Sequence, residues 1–136
     1  MKRIIATTLS IFTLMFPPSA IALVTTTPAT QVQPAQVDKR DLIAVAASAT
    51  KDQNYQLALR VANNVIGLFP NYPTAYLYRA IALYKLGNRE VALVSFTKAK
   101  ELYERQLQAA SITPQEEKEA NLGLNTVEIH LKLLQS

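Results

Sequence analysis

The stretch from Ala75 to Leu102, AYLYRAIALYKLGNREVALVSFTKAKEL, constrains this chain more than any other. Tyr76, Ala80, Leu83 and Tyr84 recur at three- and four-residue steps, and Ala92, Phe96, Ala99 and Tyr103 do so again after a break. Spacing of that kind places each set on one face of a helix. The break is Leu86-Gly87-Asn88. Glycine adopts the left-handed conformation that ends a helix, and asparagine tolerates the turn that follows. The pattern predicts a helical hairpin in which small Ala80 and Ala92 let the two helices approach closely.

A more degenerate copy precedes it. Ala58 stands 34 residues before Ala92, with Tyr55 ahead of it at a helix start. Leu42, Val45, Ala46 and Ala49 occupy the places of Tyr76, Arg79, Ala80 and Leu83. Self-similarity near this period marks a tetratricopeptide array. Over roughly Lys39 to Gln106 the chain resembles that family, through Tyr76-x-x-Arg79-Ala80-x-x-Leu83, Gly87, Ala92-x-x-x-Phe96 and Ala99. The first copy keeps Ala46, Tyr55, Ala58 and a closing Pro70. It has Gln53 where glycine is usual and Ala62 where a large aromatic is usual, and the second copy ends in Glu104 rather than proline. The resemblance implies a protein-binding scaffold and names no partner.

The first residues read as a targeting segment. Met1-Lys2-Arg3 is positive, Ile4 to Phe16 is apolar, Pro17-Pro18 breaks the run, and Ser19-Ala20-Ile21-Ala22 puts small Ala20 and Ala22 where a signal peptidase looks. Residues 1–22 are expected to be a signal peptide cleaved after Ala22, giving an exported protein of the periplasm, a lumen or the exterior. The rival is an uncleaved membrane anchor, but a spanning helix needs about 20 apolar residues, and the proline pair interrupts such a run. Residues 23–38, rich in Thr, Pro and Gln, read as a flexible tether.

The whole chain has a formal charge of +4 and no cysteine, so neither a disulfide nor a lipoprotein anchor is available to it. Removal of Lys2 and Arg3 would lower that charge by two. No lysine–arginine cluster beyond Lys39-Arg40 remains, and no basic face interleaved with aromatics, which argues against nucleic acid as a partner.

In the first hairpin, Leu42, Val45, Ala46 and Ala49 are expected to be buried, Lys51 to Asn54 to turn, and Tyr55, Ala58, Leu59, Ala62, Val65, Ile66 and Phe69 to belong to the second helix or its end. Pro70-Asn71-Tyr72-Pro73 links the hairpins, with Asn71 the expected cap of the next helix. Later, Thr113-Pro114-Gln115-Glu116 has the form of a capping box with proline at the first helical position. Glu116, Glu117 and Glu119 there suit the positive end of a helix dipole. Ala120-Asn121-Leu122-Gly123 resembles the start of a third repeat, displaced by an insertion, and no second helix follows. Residues 113–135 are therefore read as a capping helix that closes the apolar side of the second hairpin with Leu122, Leu124, Val127, Ile129, Leu131 and Leu134. The expected fold is all-α: a solenoid of antiparallel helix pairs, with repeats over 39–72 and 73–106, and five helices after the signal. So short an array should be modestly stable and should gain from binding or self-association.

Little in the sequence offers chemistry. The only histidine, His130, has no carboxylate four residues away and no cysteine to join it in a metal site. There is no phosphate loop or nucleophile motif. No catalytic, cofactor or metal role is expected. What the resemblance implies instead is a concave groove lined by the first helix of each hairpin. Its residues here would be Arg40, Ile43, Ala47, Thr50 and Lys51, then Thr74, Leu77, Tyr78, Ile81, Tyr84 and Lys85. Some family members hold a chaperone's terminal carboxylate with lysine and asparagine. Ile43, Ala47 and Ile81 stand at those places, and apolar groups cannot pair a buried charge. The sequence thus points to an exported, non-catalytic scaffold that holds a protein segment, or to a module that stacks on itself or on a membrane-bound complex.

Overall fold

The computed structural model describes residues 37–136; the expected signal peptide and almost all of the tether lie outside them. Five helices follow in order: α1 (Lys39–Lys51), α2 (Tyr55–Leu68), α3 (Pro73–Lys85), α4 (Arg89–Leu107) and α5 (Pro114–Gln135). No strand occurs among the described residues.

Local chemistry sets most of the boundaries. Asp38 caps α1 by accepting from the Arg40 N–H at 2.9 Å, and Asn54 caps α2 by accepting from the Leu57 N–H at 3.2 Å. Each satisfies a donor the helix itself leaves free. At α3 the cap position belongs to Tyr72 and carries no side-chain bond, while Pro73 is the first helical residue. Asn71, the expected cap, is exposed and one residue too early. Tyrosine is not a capping side chain, and proline, with its φ preset for a helix, starts α3 without one.

The two hairpin turns share one geometry. Gln53 and Gly87 both have positive φ, 59° and 87°. Asn54 N–H bonds the Ala49 carbonyl at 2.8 Å, and Asn88 N–H bonds the Leu83 carbonyl at 2.9 Å. These are six-to-one bonds of the Schellman type. The glutamine therefore adopts the glycine conformation rather than replacing it with another turn.

Each helix packs on its neighbours in the chain, forming antiparallel pairs. Besides these contacts, α3 meets α1 and α5, whereas α2 and α4 make no such close approach. Closeness on one side makes that side the inner curve, so α1, α3 and α5 line it. The main core joins Leu77, Ala80 and Leu83 of α3 to Ala92, Phe96, Ala99 and Tyr103 of α4, and to Ala120 and Val127 of α5. Ala80 and Ala92 are fully buried within it. Ala58 is fully buried in a smaller cluster with Ala49 and Ala82.

In α1 the buried stripe is rotated from the expected one. Ile43, placed in the groove by sequence, is 7% exposed and packs with Val65 and Ala75. Val45, expected inside, is 48% exposed. The cause is position in the array: α1 has helices on the α2 and α3 sides only, so its Val45 side meets no helix among the described residues. An apolar cleft of about 600 Å³, lined by Leu42, Val45, Val61 and Leu68 among others, marks that open end.

Candidate functional site

The inner curve contains a cleft of about 330 Å³ between α3 and α5. From α3 come Thr74, Leu77, Tyr78 and Ile81; from α5 come Glu119, Leu122, Gly123 and Thr126; Tyr72 and Tyr103 complete it. Four of the sequence-derived groove residues are thus brought together. Leu77 forms the floor and is only 7% exposed. Tyr78 and Ile81 are half-buried. Burial pushes the Tyr78 phenol above its ordinary value.

The remaining groove candidates lie elsewhere. Ile43 belongs to the core, Ala47 is half-buried on α1, and Lys51 is exposed at the end of α1. Half-buried Thr50 turns its hydroxyl back to the Ala46 carbonyl at 2.8 Å. Tyr84 packs edge-on to His130, with ring centres 6.2 Å apart, and Lys85 holds its ammonium 6.0 Å from the Tyr84 ring. Arg40 reaches across the inner curve to Glu119 of α5 at 3.9 Å. Both partners are more than half exposed, so the bridge adds little stability. It does set an end to the cleft. Beyond it lies a second cleft, about 400 Å³, with Lys39, Arg40, Arg105, Glu116 and Glu119 on its walls. The charges there are already engaged: Lys39 sits 5.2 Å from the Tyr72 ring, Arg105 pairs with Glu101, and Glu116 with Thr113.

Tyr103 comes from α4 yet reaches the cleft floor. Its hydroxyl donates to Thr74 Oγ1 at 3.1 Å. Burial pushes its phenol up to about 12. The approach is possible because α5 presents Gly123 there: a Cβ on that residue would overlap Tyr103 Cζ and lie 2.7 Å from Cε1. The glycine is a gap cut for a neighbouring ring.

The α5 wall went unrecognised in the sequence as part of the groove. Leu122 and Ile129, expected to seal the second hairpin, are 68% and 49% exposed, and Leu133 is 51% exposed. Val127 seals it as expected, joined by Ala120, and Leu124, Leu131 and Leu134 pack against the same core. The available signal was the repeat-like Ala120-Asn121-Leu122-Gly123. If that segment imitates the start of α3, with Ala120 buried like Ala75, then Leu122 corresponds to Leu77 and shares its side of the array.

His130 stacks on Phe96, with ring centres 4.9 Å apart, and its Nδ1 lies 2.8 Å from the Thr126 carbonyl. Among the described residues no group of three His, Cys, Asp or Glu side chains converges to hold a metal ion. Nor is any helix among them long and apolar enough to cross a membrane. Compared with known protein families, curated proteins and solved structures, the chain gives no match.

Proposed function

We propose that this protein is an exported, non-catalytic scaffold that holds a segment of another protein in the inner curve of a short array resembling tetratricopeptide repeats. The observation that carries the reading is the α3–α5 cleft, open to solvent, with an apolar floor and an apolar wall. Surface of this kind is costly to leave in water, and patches of it mark interaction sites. Tyr72, Tyr78, Thr74 and Tyr103 add hydroxyls to the same cleft, which suits a polypeptide with apolar side chains and a polar backbone. Export rests on the charged, apolar and small-residue parts of the first 22 residues, and places the partner in the periplasm, a lumen or outside the cell. Nucleic acid, a cofactor and a metal have no part in the proposal, and membrane contact is limited to the leader unless that leader is retained as an anchor.

Affinity capture with the exported form, followed by mass spectrometry, tests the reading against a variant with Ile81→Ser and Leu122→Glu. Leu77 is too buried to serve as a probe. The variant should lose the partner and keep its helix content. Partner retention by a folded variant would show that the cleft is not the binding surface. The second reading, a module that assembles on itself or on a membrane-bound complex, draws on the exposed apolar row of α5.

A further inference from the structure

The most exposed apolar row among the described helices is on α5. Leu122, Thr126, Ile129 and Leu133 follow one another at steps of four, three and four. That spacing is the seam along which one helix packs on another in a coiled coil. Three of the four are large, and each is about half exposed or more. The threonine, half-buried, does not spoil the seam, because its hydroxyl is already satisfied by the Leu122 carbonyl at 2.9 Å. The seam carries no charge until Glu119, and that carboxylate is already held by Gln115 at 2.6 Å and Arg40 at 3.9 Å.

We propose that the occupant of this row is the α5 row of a second copy of the chain, packed antiparallel about a two-fold axis. The proposal rests on the reading of the inner curve as a protein-binding surface, and names one partner for its α5 edge. The row is self-complementary in this direction. Leu122 of one copy lies opposite Leu133 of the other, and Thr126 lies opposite Ile129, so every step along the seam places an apolar surface on an apolar surface. The flanking positions also agree. Asn125 meets Lys132 on the outer side, while Gly123 and His130 are turned into their own copy against Tyr103 and Phe96, so no like charges face each other at these positions. An isologous contact of this kind closes as a dimer and does not propagate. Being short, it belongs with weak interfaces below about 1,200 Å².

The chain has no cysteine, so a disulfide test has no background. Leu122→Cys and Leu133→Cys variants are purified separately, mixed and oxidised, while the mass of the unmodified chain is measured from low to high concentration. The mixture should give a Leu122–Leu133 disulfide. Each variant alone should give none, since like positions lie about 16 Å apart along the axis at ~1.5 Å per residue, beyond disulfide reach. The mass should double with concentration, and Leu133→Glu, which lies outside the cleft, should hold it at the monomer value. A monomer at every concentration with no disulfide in the mixture overturns the proposal. So does a disulfide formed by Leu122→Cys alone, which would indicate a parallel pairing. A monomer that still captures a partner through Ile81 and Leu122 would refute the second copy and leave the groove reading standing.

Discussion

Substituting Gly123 with alanine should change the sign of its effect on stability according to what residue 103 is. In a helix interior alanine is favoured over glycine by about 1 kcal/mol. Against that gain stands the Tyr103 ring, whose hydroxyl lies 2.5 Å and whose Cε1 lies 2.7 Å from where the new methyl would sit. The ring is the end of a side chain, but it cannot swing aside freely. It is 3% exposed and tied to Thr74. Overpacking of this sort typically costs ~1–3 kcal/mol. Gly123→Ala alone should therefore destabilise the domain by roughly 1 kcal/mol, after the helix gain is subtracted. In a Tyr103→Leu background the obstacle is gone, and the same substitution should stabilise by about 1 kcal/mol. The coupling between the two sites is then ~2 kcal/mol, within the range for residues in contact. Tyr103→Leu itself removes a hydrogen bond and buried area, so the cycle is best followed by urea unfolding in the cold, with circular dichroism as readout. The same sign in both backgrounds would refute the account of Gly123 as a gap for the ring.

The turn residues make a matched pair. Gln53→Gly should stabilise by about 0.5 kcal/mol, since relief of left-handed strain exceeds the entropy glycine adds to the unfolded chain, whereas Gly87→Ala should cost about 1 kcal/mol; thermal melts separate them. With its pKa raised by burial to about 12, Tyr103 keeps its proton in the folded state at pH values where the unfolded chain, near 10, has lost it. That stabilisation is complete below pH 10 and disappears as pH rises toward 12, a loss of roughly 2–3 kcal/mol that unfolding of Tyr103→Phe at the same pH values should not show. Thr113→Ala should cost about 1 kcal/mol through loss of the α5 cap. It should also raise the Glu116 pKa, now held low first by the Thr113 hydroxyl and then by its backbone N–H, as a carboxylate titration by NMR would record. Persistence of the low value without the hydroxyl would contradict that cause.

The helices, their pairing and most of their ends follow from signals a few residues long. Asp38, Asn54 and the Thr113–Glu116 box act within one turn of chain, and Gly87 with Asn88 forces a reversal wherever the helices go afterwards. Periodicity likewise told that Ala80, Ala92 and Phe96 are buried, because each lies on a face with neighbours close in sequence. Gln53 illustrates the limit of residue type. Its left-handed turn is set by the packing of the hairpin around it, which outweighs a preference of about 1 kcal/mol.

What the chain alone determined, then, is five helices in antiparallel pairs, since a helix, a cap and a tight turn are written in contiguous residues. Tertiary structure decided which way each helix is rolled. Ile43 turned inward and Val45 outward because helices cover only one side of α1, and no spacing within α1 records which side that is. It also decided that α5, beyond an irregular insertion, returns to line the inner curve with Leu122 while Tyr103 passes beside Gly123. Those contacts join residues 20 and more positions apart, and their geometry exists only once three helices have packed.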